Sequence, residues 1–350
     1  MPADHAADAP ADLLSPDDVQ RARTKAQALV DGLDAVIFGQ PDLTRMVVVA
    51  ALSRGHVLLE GLPGLGKTEL VKALAKLSGL DYQRLQFTPD LMPGDVTGGH
   101  MLETDAATGD RRMVFHGGPV FTNVLLADEI NRASPKTQSA LLEAMQERRV
   151  TVLGETRDLP SPFLVLATQN PIELEGTYPL PEAQLDRFLF KIDVHHVDRG
   201  TLERIVTERR RGQAPEPAAA VTEADLEELF AAVDRVFLPR AVASWLSRVV
   251  AATHPSSDEA PEVVRQYVRF GASPRAAIAI AESARVHAIM GGKANVGFDD
   301  VRAVAAHALG HRIALDYKAR LDAVSGRDIA KGVLDAVSEM EGAEGASRRA

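Results

Sequence analysis

Short apolar runs alternate with amphipathic stretches over the first half of the chain. The runs have the length of strands, and the stretches between them have apolar positions three and four residues apart. The predicted strands are His56–Glu60, Val120–Ala127 and Phe163–Thr168, and the predicted helices are Asp17–Leu33, Met46–Leu52 and Thr68–Leu77. Continuous apolar runs between helices are typical of a buried parallel sheet with helices on both faces. The first unit is therefore predicted to be α/β.

The pattern becomes helical only in the second half. The predicted helices there are Leu202–Arg210, Glu223–Phe230, Arg240–Thr253, Pro274–Met290 and Phe298–Leu309. No strand signal returns, which favours a separate helical unit. We expect an acidic disordered tail over 1–16, the α/β core over 17–198, the helical unit over 199–340 and a flexible tail over 341–350.

Composition and charge narrow the function classes. The 350 residues are 45% hydrophobic and 25% charged, which is ordinary for a globular protein. The absence of cysteine excludes disulfides and thiolate metal sites. The net charge of -10 disfavours broad nucleic-acid binding. No apolar leader or membrane-spanning run is recognisable. We expect a soluble, cytoplasmic protein that neither binds nucleic acid nor inserts into a membrane.

One segment carries a specific chemical signature. It fits the phosphate-binding pattern GxxxxGK[ST] over Gly61, Leu62, Pro63, Gly64, Leu65, Gly66, Lys67 and Thr68. The glycines let successive N–H groups face phosphate oxygens, Lys67 supplies a positive charge for the outer phosphates, and the Thr68 hydroxyl binds Mg²⁺. The alternative is a chance glycine turn, but the required strand and helix flank the loop. We predict an ATP site that extends to Glu69.

Two carboxylates follow the second predicted strand. Asp128 is placed to hold Mg²⁺ through water, and Glu129 to polarise the attacking water for hydrolysis. The alternative is that both residues cap the helix that begins near Ser134. Their pairing with the phosphate loop favours the catalytic interpretation.

Asn170 and Arg275 are further candidates for the reaction. Asn170 follows the third predicted strand, where its amide could orient a water; an asparagine in a turn before proline is the equal alternative. Arg275 stands in the first turn of a helix that Ser273 and Pro274 open, against the helix dipole. A γ-phosphate or a nearby acidic side chain would offset the unfavourable position of this positive charge at the helix N-terminus.

The order of these motifs resembles the AAA+ ATPases, and finer strings are similar to the MoxR branch. These strings are Phe87–Asp95, Ala127–Arg132, Gln138–Met145, Ala167–Pro171 and Gly176–Phe188. The similarity runs from about Val36 to His311 and Arg312. The resemblance implies an αβα P-loop AAA+ core with a C-terminal all-helical lid domain.

The resemblance also implies roles for individual residues. AAA+ proteins form rings, typically hexamers, with ATP between subunits. Arg187 then matches the arginine finger for a neighbour's γ-phosphate, where a solvated arginine or an intrachain pair with Asp186 is the alternative. Arg132 is a second candidate for action across the interface. Asn170 matches sensor 1 and Arg275 sensor 2. The pair Gly39 and Gln40 falls where the family lines the adenine pocket.

Two insertions are expected to form hairpins. One lies over Met92–Gly118 with Thr108–Asp110 as its turn, and the other over Arg149–Pro162 with its turn at Gly154. In related ATPases such hairpins face the pore or a client, and inert surface loops are the alternative.

The resemblance leads to a function that uses ATP and Mg²⁺ to remodel, mature or activate a partner protein. A von Willebrand factor A domain protein is the expected kind of partner. The alternatives are a magnesium-chelatase-like motor subunit and a nucleic-acid motor. The acidity of the whole chain counts against the nucleic-acid motor. A scaffold that hardly hydrolyses ATP is disfavoured by Glu129.

Overall fold

The computed structural model describes residues 13–61, 64–104, 110–171, 176–209, 215 and 217–339. The strands in chain order are β1 (Val57–Glu60), β2 (Tyr82–Gln86), β3 (Gly98–Thr104), β4 (Arg111–Gly117), β5 (Val124–Asp128), β6 (Arg149–Val152), β7 (Glu155–Asp158), β8 (Leu164–Gln169), β9 (Phe190–Asp193), β10 (Val268–Phe270) and β11 (Ala314–Leu315). The α-helices are α1 (Pro16–Val36), α2 (Pro41–Leu52), α3 (Lys67–Leu77), α4 (Pro93–Thr97), α5 (Pro135–Glu147), α6 (Glu182–Leu185), α7 (Arg199–Glu208), α8 (Glu223–Asp234), α9 (Arg240–Ala251), α10 (Glu262–Tyr267), α11 (Pro274–Met290), α12 (Phe298–Leu309), α13 (Tyr317–Leu321) and α14 (Gly326–Ala336).

Contacts divide the chain into two units. The sheet unit comprises the described residues within 28–188 and 192–223, and the helical unit comprises those within 13–27, 189–191 and 224–339. The predicted division at residue 198 stays a prediction. Among the described residues, no helix combines the length and the apolar character that crossing a bilayer requires.

A sheet of five strands organises the sheet unit within the described residues. Its order is β2-β5-β8-β1-β9, and the pairs β1–β8, β5–β8 and β2–β5 are parallel. The central strands β1, β5 and β8 are buried until their last residues, which is why they read as continuous apolar runs. The predicted α/β core is confirmed. The predicted strand from Val120 is too long, because pairing begins only at Val124.

The edge strand β2 was missed because its sequence YQRLQ has no apolar run. Three of its five positions are partly buried and two are exposed, as an edge strand permits. This strand contributes two side chains to the candidate site, so the omission affects function as well as fold.

Both predicted hairpins are present. β3 pairs antiparallel with β4, and β6 with β7. The second hairpin turns at Leu153 and Gly154, whose φ angles of 51° and 84° are those of a tight two-residue turn. The predicted turn at Thr108–Asp110 lies mostly outside the described residues. The hairpins contact each other where the Arg157 guanidinium stacks 4.0 Å from the Phe115 ring centroid.

Helices α8, α9, α11 and α12 of the helical unit correspond to predicted helices, whereas α10, α13, α14 and one small sheet were not predicted. The strands β10 and β11 form an antiparallel pair. They have three and two residues, too short for a detectable alternation of apolar and polar positions. The buried Trp245 ring lies against Phe298, with centroids 5.5 Å apart, and its Nε1 donates to the Val337 carbonyl at 3.0 Å. The predicted tails at 1–16 and 341–350 fall largely outside the described residues, although Pro16 opens α1.

Candidate nucleotide-binding site

The phosphate loop connects β1 to the amino end of α3. Gly64 and Gly66 have φ angles of 82° and 80°, a region that side chains with a Cβ rarely adopt. Gly61 is required for a different reason, because a Cβ there would lie 2.7 Å from the Val194 carbonyl oxygen. Leu62 and Pro63 lie outside the described residues. The glycines of the pattern are thus explained by local geometry.

Lys67 begins α3 and folds back over the loop. Its Nζ donates to the Gly61 carbonyl oxygen at 2.5 Å. Burial lowers the pKa of the Lys67 ammonium, and the carboxylates of Asp128, Glu129 and Glu60 oppose that shift. A half-buried cation beside a helix N-terminus is suited to an anionic ligand.

A cavity of about 660 Å³ opens above this loop. The predicted residues that line it are Gln40, Gly64, Leu65, Gly66, Lys67, Thr68, Glu69, Asp128, Glu129 and Asn170. Asn170 is 7% exposed and directly follows β8. Carboxyl ends of parallel strands meet at one edge of a sheet, which is why residues far apart in sequence converge here.

Asp128 is the last residue of β5 and is held by two neighbours. Its Oδ1 accepts from the Thr168 hydroxyl at 2.6 Å. Its Oδ2 accepts from Arg84 Nη2 at 2.7 Å and from Arg84 Nε at 3.2 Å. Together with the Thr68 hydroxyl, this carboxylate offers the hard oxygen donors that Mg²⁺ prefers.

Glu129 adopts a left-handed backbone, with φ 56° and ψ 51°. Such a conformation is costly for a residue with a side chain and is frequent at functional sites. Its N–H donates to the Thr168 hydroxyl at 2.8 Å. Its Oε2 accepts from Gln86 Nε2 at 2.8 Å and from Arg132 Nη1 at 3.0 Å. Arg132, a candidate for action across an interface, therefore contacts Glu129 within the chain.

Five apolar side chains also line the cavity. They are Ile37, Phe38, Val197, Leu202 and Ile205. Gly39 is not among the lining residues, but its φ is 74° and a Cβ would lie 2.5 Å from Thr201 Oγ1. Gly39 thus shapes the turn that presents Phe38 and Gln40.

Sequence reasoning missed several lining residues. Arg84 and Gln86 stand two apart on β2 and so share one face of that strand. An arginine and a glutamine at alternate positions were the only signal, and it is weak without the strand assignment. His196 and Arg209 also line the cavity and have no motif of their own.

Arg187 does not line this cavity. It lies in a second cleft of about 470 Å³ with Glu143, Glu147 and Arg149, and its Nη1 donates to the Leu142 carbonyl at 2.7 Å. Arg275 belongs to the helical unit. It is exposed in the first turn of α11, and its N–H donates to Ser273 Oγ at 3.2 Å, as the predicted cap requires.

Comparison with known proteins finds matching family models, similar proteins and a similar solved structure. Residues 56–190 match the family model described as ATPase family associated with various cellular activities (AAA), and residues 261–332 match the AAA lid domain. The chain is 44% identical over 303 residues to Chaperone MoxR1 of Mycobacterium tuberculosis, covering 87% of this chain and 79% of that one. It is 33% identical over 322 residues to Protein MoxR of Paracoccus denitrificans, covering 83% and 90%. A solved structure from Cytophaga hutchinsonii aligns with a TM-score of 0.83 and 38% identity, over 92% of this chain and 97% of that one.

Proposed function

Because the chain belongs to the MoxR family of AAA+ ATPases, we propose that it couples ATP hydrolysis to the remodelling, maturation or activation of a partner protein. The relative from Mycobacterium tuberculosis is named a chaperone, which supports this direction. The proposal includes a cytoplasmic location and a protein client, for which a von Willebrand factor A domain protein is the leading candidate.

The observation that carries the ATPase proposal is the convergence of loop, acids and amide on one cavity. Lys67, the described loop residues Gly64–Gly66 and Asn170 line the same cavity. Glu129 is also one of the residues that line it. A carboxylate there can accept the proton of an attacking water, which fits hydrolysis.

The cavity is lined by both charged and apolar side chains. In the proposed complex the base would pack against apolar residues such as Val197 and Ile205, and the phosphates would reach Lys67 and Thr68. Such a combination suits a nucleotide, because an aromatic base gains from burial and a polyphosphate gains from N–H groups and cations.

The donor set fits a magnesium ion. The Thr68 hydroxyl and, through water, the Asp128 carboxylate would hold it, and the bound ion would neutralise charge on the outer phosphates. Thr168 keeps the Asp128 carboxylate oriented through the 2.6 Å hydrogen bond to Oδ1. The acid therefore needs no reorientation to serve this role.

We include a ring, taken as a hexamer, in which each site is completed by a neighbour. Arg187 supports this part, because it lies in a cleft of its own and lines no part of the nucleotide cavity of the same chain. An arginine so placed could serve a neighbour's γ-phosphate. The proposal also keeps the sensor 2 role for Arg275.

Phosphate release by the purified chain tests the proposal. We expect Mg²⁺-dependent ATP turnover that a von Willebrand factor A domain protein accelerates. Acceleration by DNA instead would point to a nucleic-acid motor, and acceleration by a chelatase subunit to a metal-insertion motor. Absence of turnover under all these conditions would contradict the ATPase proposal itself.

A further inference from the structure

Two arginines lie close to the ring of Phe38, an apolar residue of the nucleotide cavity. The Cζ atom of Arg209 is 4.7 Å from the ring centroid, and that of Arg204 is 4.4 Å from it. A cation within about 6 Å of an aromatic centroid is attracted by the electron-rich face of the ring. Arg209 also lines the cavity, whereas Arg204 is not among the described residues that line it. The two arginines thus share one aromatic contact but differ in their access to a ligand.

Arg209 has two backbone anchors beside apolar residues of the cavity. Its N–H donates to the Ile205 carbonyl oxygen at 3.0 Å, the spacing of an α-helical turn. Its Nη2 donates to the carbonyl oxygen of Val36, two residues before Phe38. Because Ile205 and Phe38 both line the cavity, the guanidinium lies beside residues against which the base of a nucleotide would pack.

One donor of the Arg209 side chain lacks an acceptor. Within the described part of the chain, its Nε is buried and has no hydrogen-bond partner. A buried N–H without a partner is unfavourable, and native structures rarely keep one without a reason. A guanidinium can only donate, so the missing partner is an acceptor. The residue as a whole is only partly buried, and a rotation of its side chain can therefore turn Nε toward a ligand in the cavity.

We propose that Arg209 is a specificity-determining residue that donates a hydrogen bond to a ring nitrogen of a purine base. The inference deepens the proposed function and rests on it, because it requires that the cavity takes ATP. Adenine carries the acceptors N1, N3 and N7 at its edges. When the base packs against Ile205 and Phe38, an edge of it reaches the guanidinium, and Nε gains the acceptor that it lacks.

Two other accounts of Arg209 make different predictions. If its charge served the phosphates, every nucleotide with the same phosphates would lose affinity equally on its removal. If it only supported the Phe38 ring, loss of Arg204 would have the same effect, because both guanidinium groups contact that ring. A contact with the base makes the effect depend on a single atom of the base.

The test compares ADP with its three deaza analogues, in each of which one of the nitrogens N1, N3 and N7 is replaced by C–H. Calorimetric titration of the full chain gives the Kd of each in MgCl₂. We expect one analogue to bind the wild type about five- to fiftyfold more weakly than ADP, as for loss of a charge-assisted hydrogen bond. Arg209→Met keeps the aliphatic stem and removes the donors. It should bind ADP more weakly by a similar factor and bind that analogue as well as ADP.

Arg204→Met is the matched control. It removes the other guanidinium from the Phe38 ring, and the discrimination between ADP and the analogue should persist in it. Circular dichroism would establish that each variant is folded, and Arg209→Gln would replace the methionine variant if that one does not fold.

Three results would overturn the proposal. The first is that no analogue binds the wild type more weakly than ADP. The second is that every such difference persists in Arg209→Met. The third is that it disappears equally in Arg204→Met, which would assign the effect to the Phe38 ring. Failure of the wild type to bind ADP at all would instead contradict the proposed ATPase.

Discussion

The Lys67 ammonium and the Gly61 carbonyl oxygen lie 2.5 Å apart, so the lysine closes the loop that it would share with a phosphate. This contact holds the cation over the loop before any ligand arrives. Side-chain freedom that would otherwise be lost on binding is already restricted, which favours affinity. In the proposed complex, phosphate oxygens would replace the Gly61 carbonyl as the acceptor for Lys67 Nζ.

Lys67→Ala should weaken ATP binding by about tenfold to a hundredfold, because charge-assisted hydrogen bonds to the phosphates are lost. Binding of a fluorescent ATP analogue would measure the change. Lys72→Ala is the matched control, since Lys72 is an exposed residue of the same helix. Retained affinity in Lys67→Ala would remove the lysine from the site.

Glu129→Gln should preserve nucleotide binding and lower kcat by about a hundredfold or more, as expected for loss of a general base. The amide can still accept from Arg132 and Gln86, so the left-handed backbone should remain supported. Single-turnover hydrolysis would measure the effect, with the exposed Glu227→Gln as the control. Unchanged hydrolysis would exclude Glu129 as the base.

The separation of Arg187 from the nucleotide cavity leads to a mixing experiment. Arg187→Ala and Lys67→Ala should each be inactive alone. In a random equal mixture about one site in four would combine an intact loop with an intact neighbouring arginine, so about a quarter of the activity should return. Recovery of phosphate release would be the measurement. If the mixture stays as inactive as its components, Arg187 does not act between subunits.

Asp300 of the helical unit has a fully buried side chain. Its oxygens accept from His287 Nδ1 at 2.8 Å, from Lys293 Nζ at 3.0 Å and from the Gly297 N–H at 2.8 Å. Asp300→Asn removes the negative charge. It also places the amide NH₂ group, which can only donate, against groups that donate to the carboxylate. We expect a loss of about 3 kcal/mol in unfolding free energy.

Urea unfolding would measure this loss. Asp299→Asn, at the exposed neighbouring position, should be close to neutral and serves as the control. Equal stability of the two variants would contradict the assigned role of the Asp300 carboxylate.

The candidate site could be predicted from the sequence where backbone geometry demands particular residue types. Gly64 and Gly66 have positive φ angles, and β5 ends in carboxylates at the edge where parallel strands converge. Requirements of this kind depend on neighbouring residues and can be recognised from the sequence alone.

The remaining site residues depend on pairing that a single sequence does not display. Arg84 becomes a site residue only because β2 lies beside β5, with Gln86 in register with Asp128. Because β2 is a polar edge strand, it has no apolar pattern by which it could be predicted. The apolar residues that line the cavity likewise come from two distant segments, around Phe38 and Ile205.

His56, at the start of β1, gives the sheet unit a dependence of stability on pH. The Val165 N–H donates to its Nδ1 at 3.0 Å, so Nε2 carries the proton and donates to the Met145 carbonyl at 3.1 Å. Burial, with the Arg148 cation, lowers the pKa of His56 from 6.5 to about 3. The unfolded chain therefore binds one more proton than the folded chain between these values. The stabilising contribution of the neutral His56 side chain is complete above about pH 6.5 and is lost as the pH falls.

From about pH 7.5 to about pH 5.5 we expect a loss of about 1.4 kcal/mol in the free energy of unfolding from His56. Urea unfolding at both pH values measures it. His56→Gln should remove that increment, and the exposed His195→Gln should retain it. An identical pH dependence in wild type and His56→Gln would show that the buried imidazole accepts its proton without unfolding.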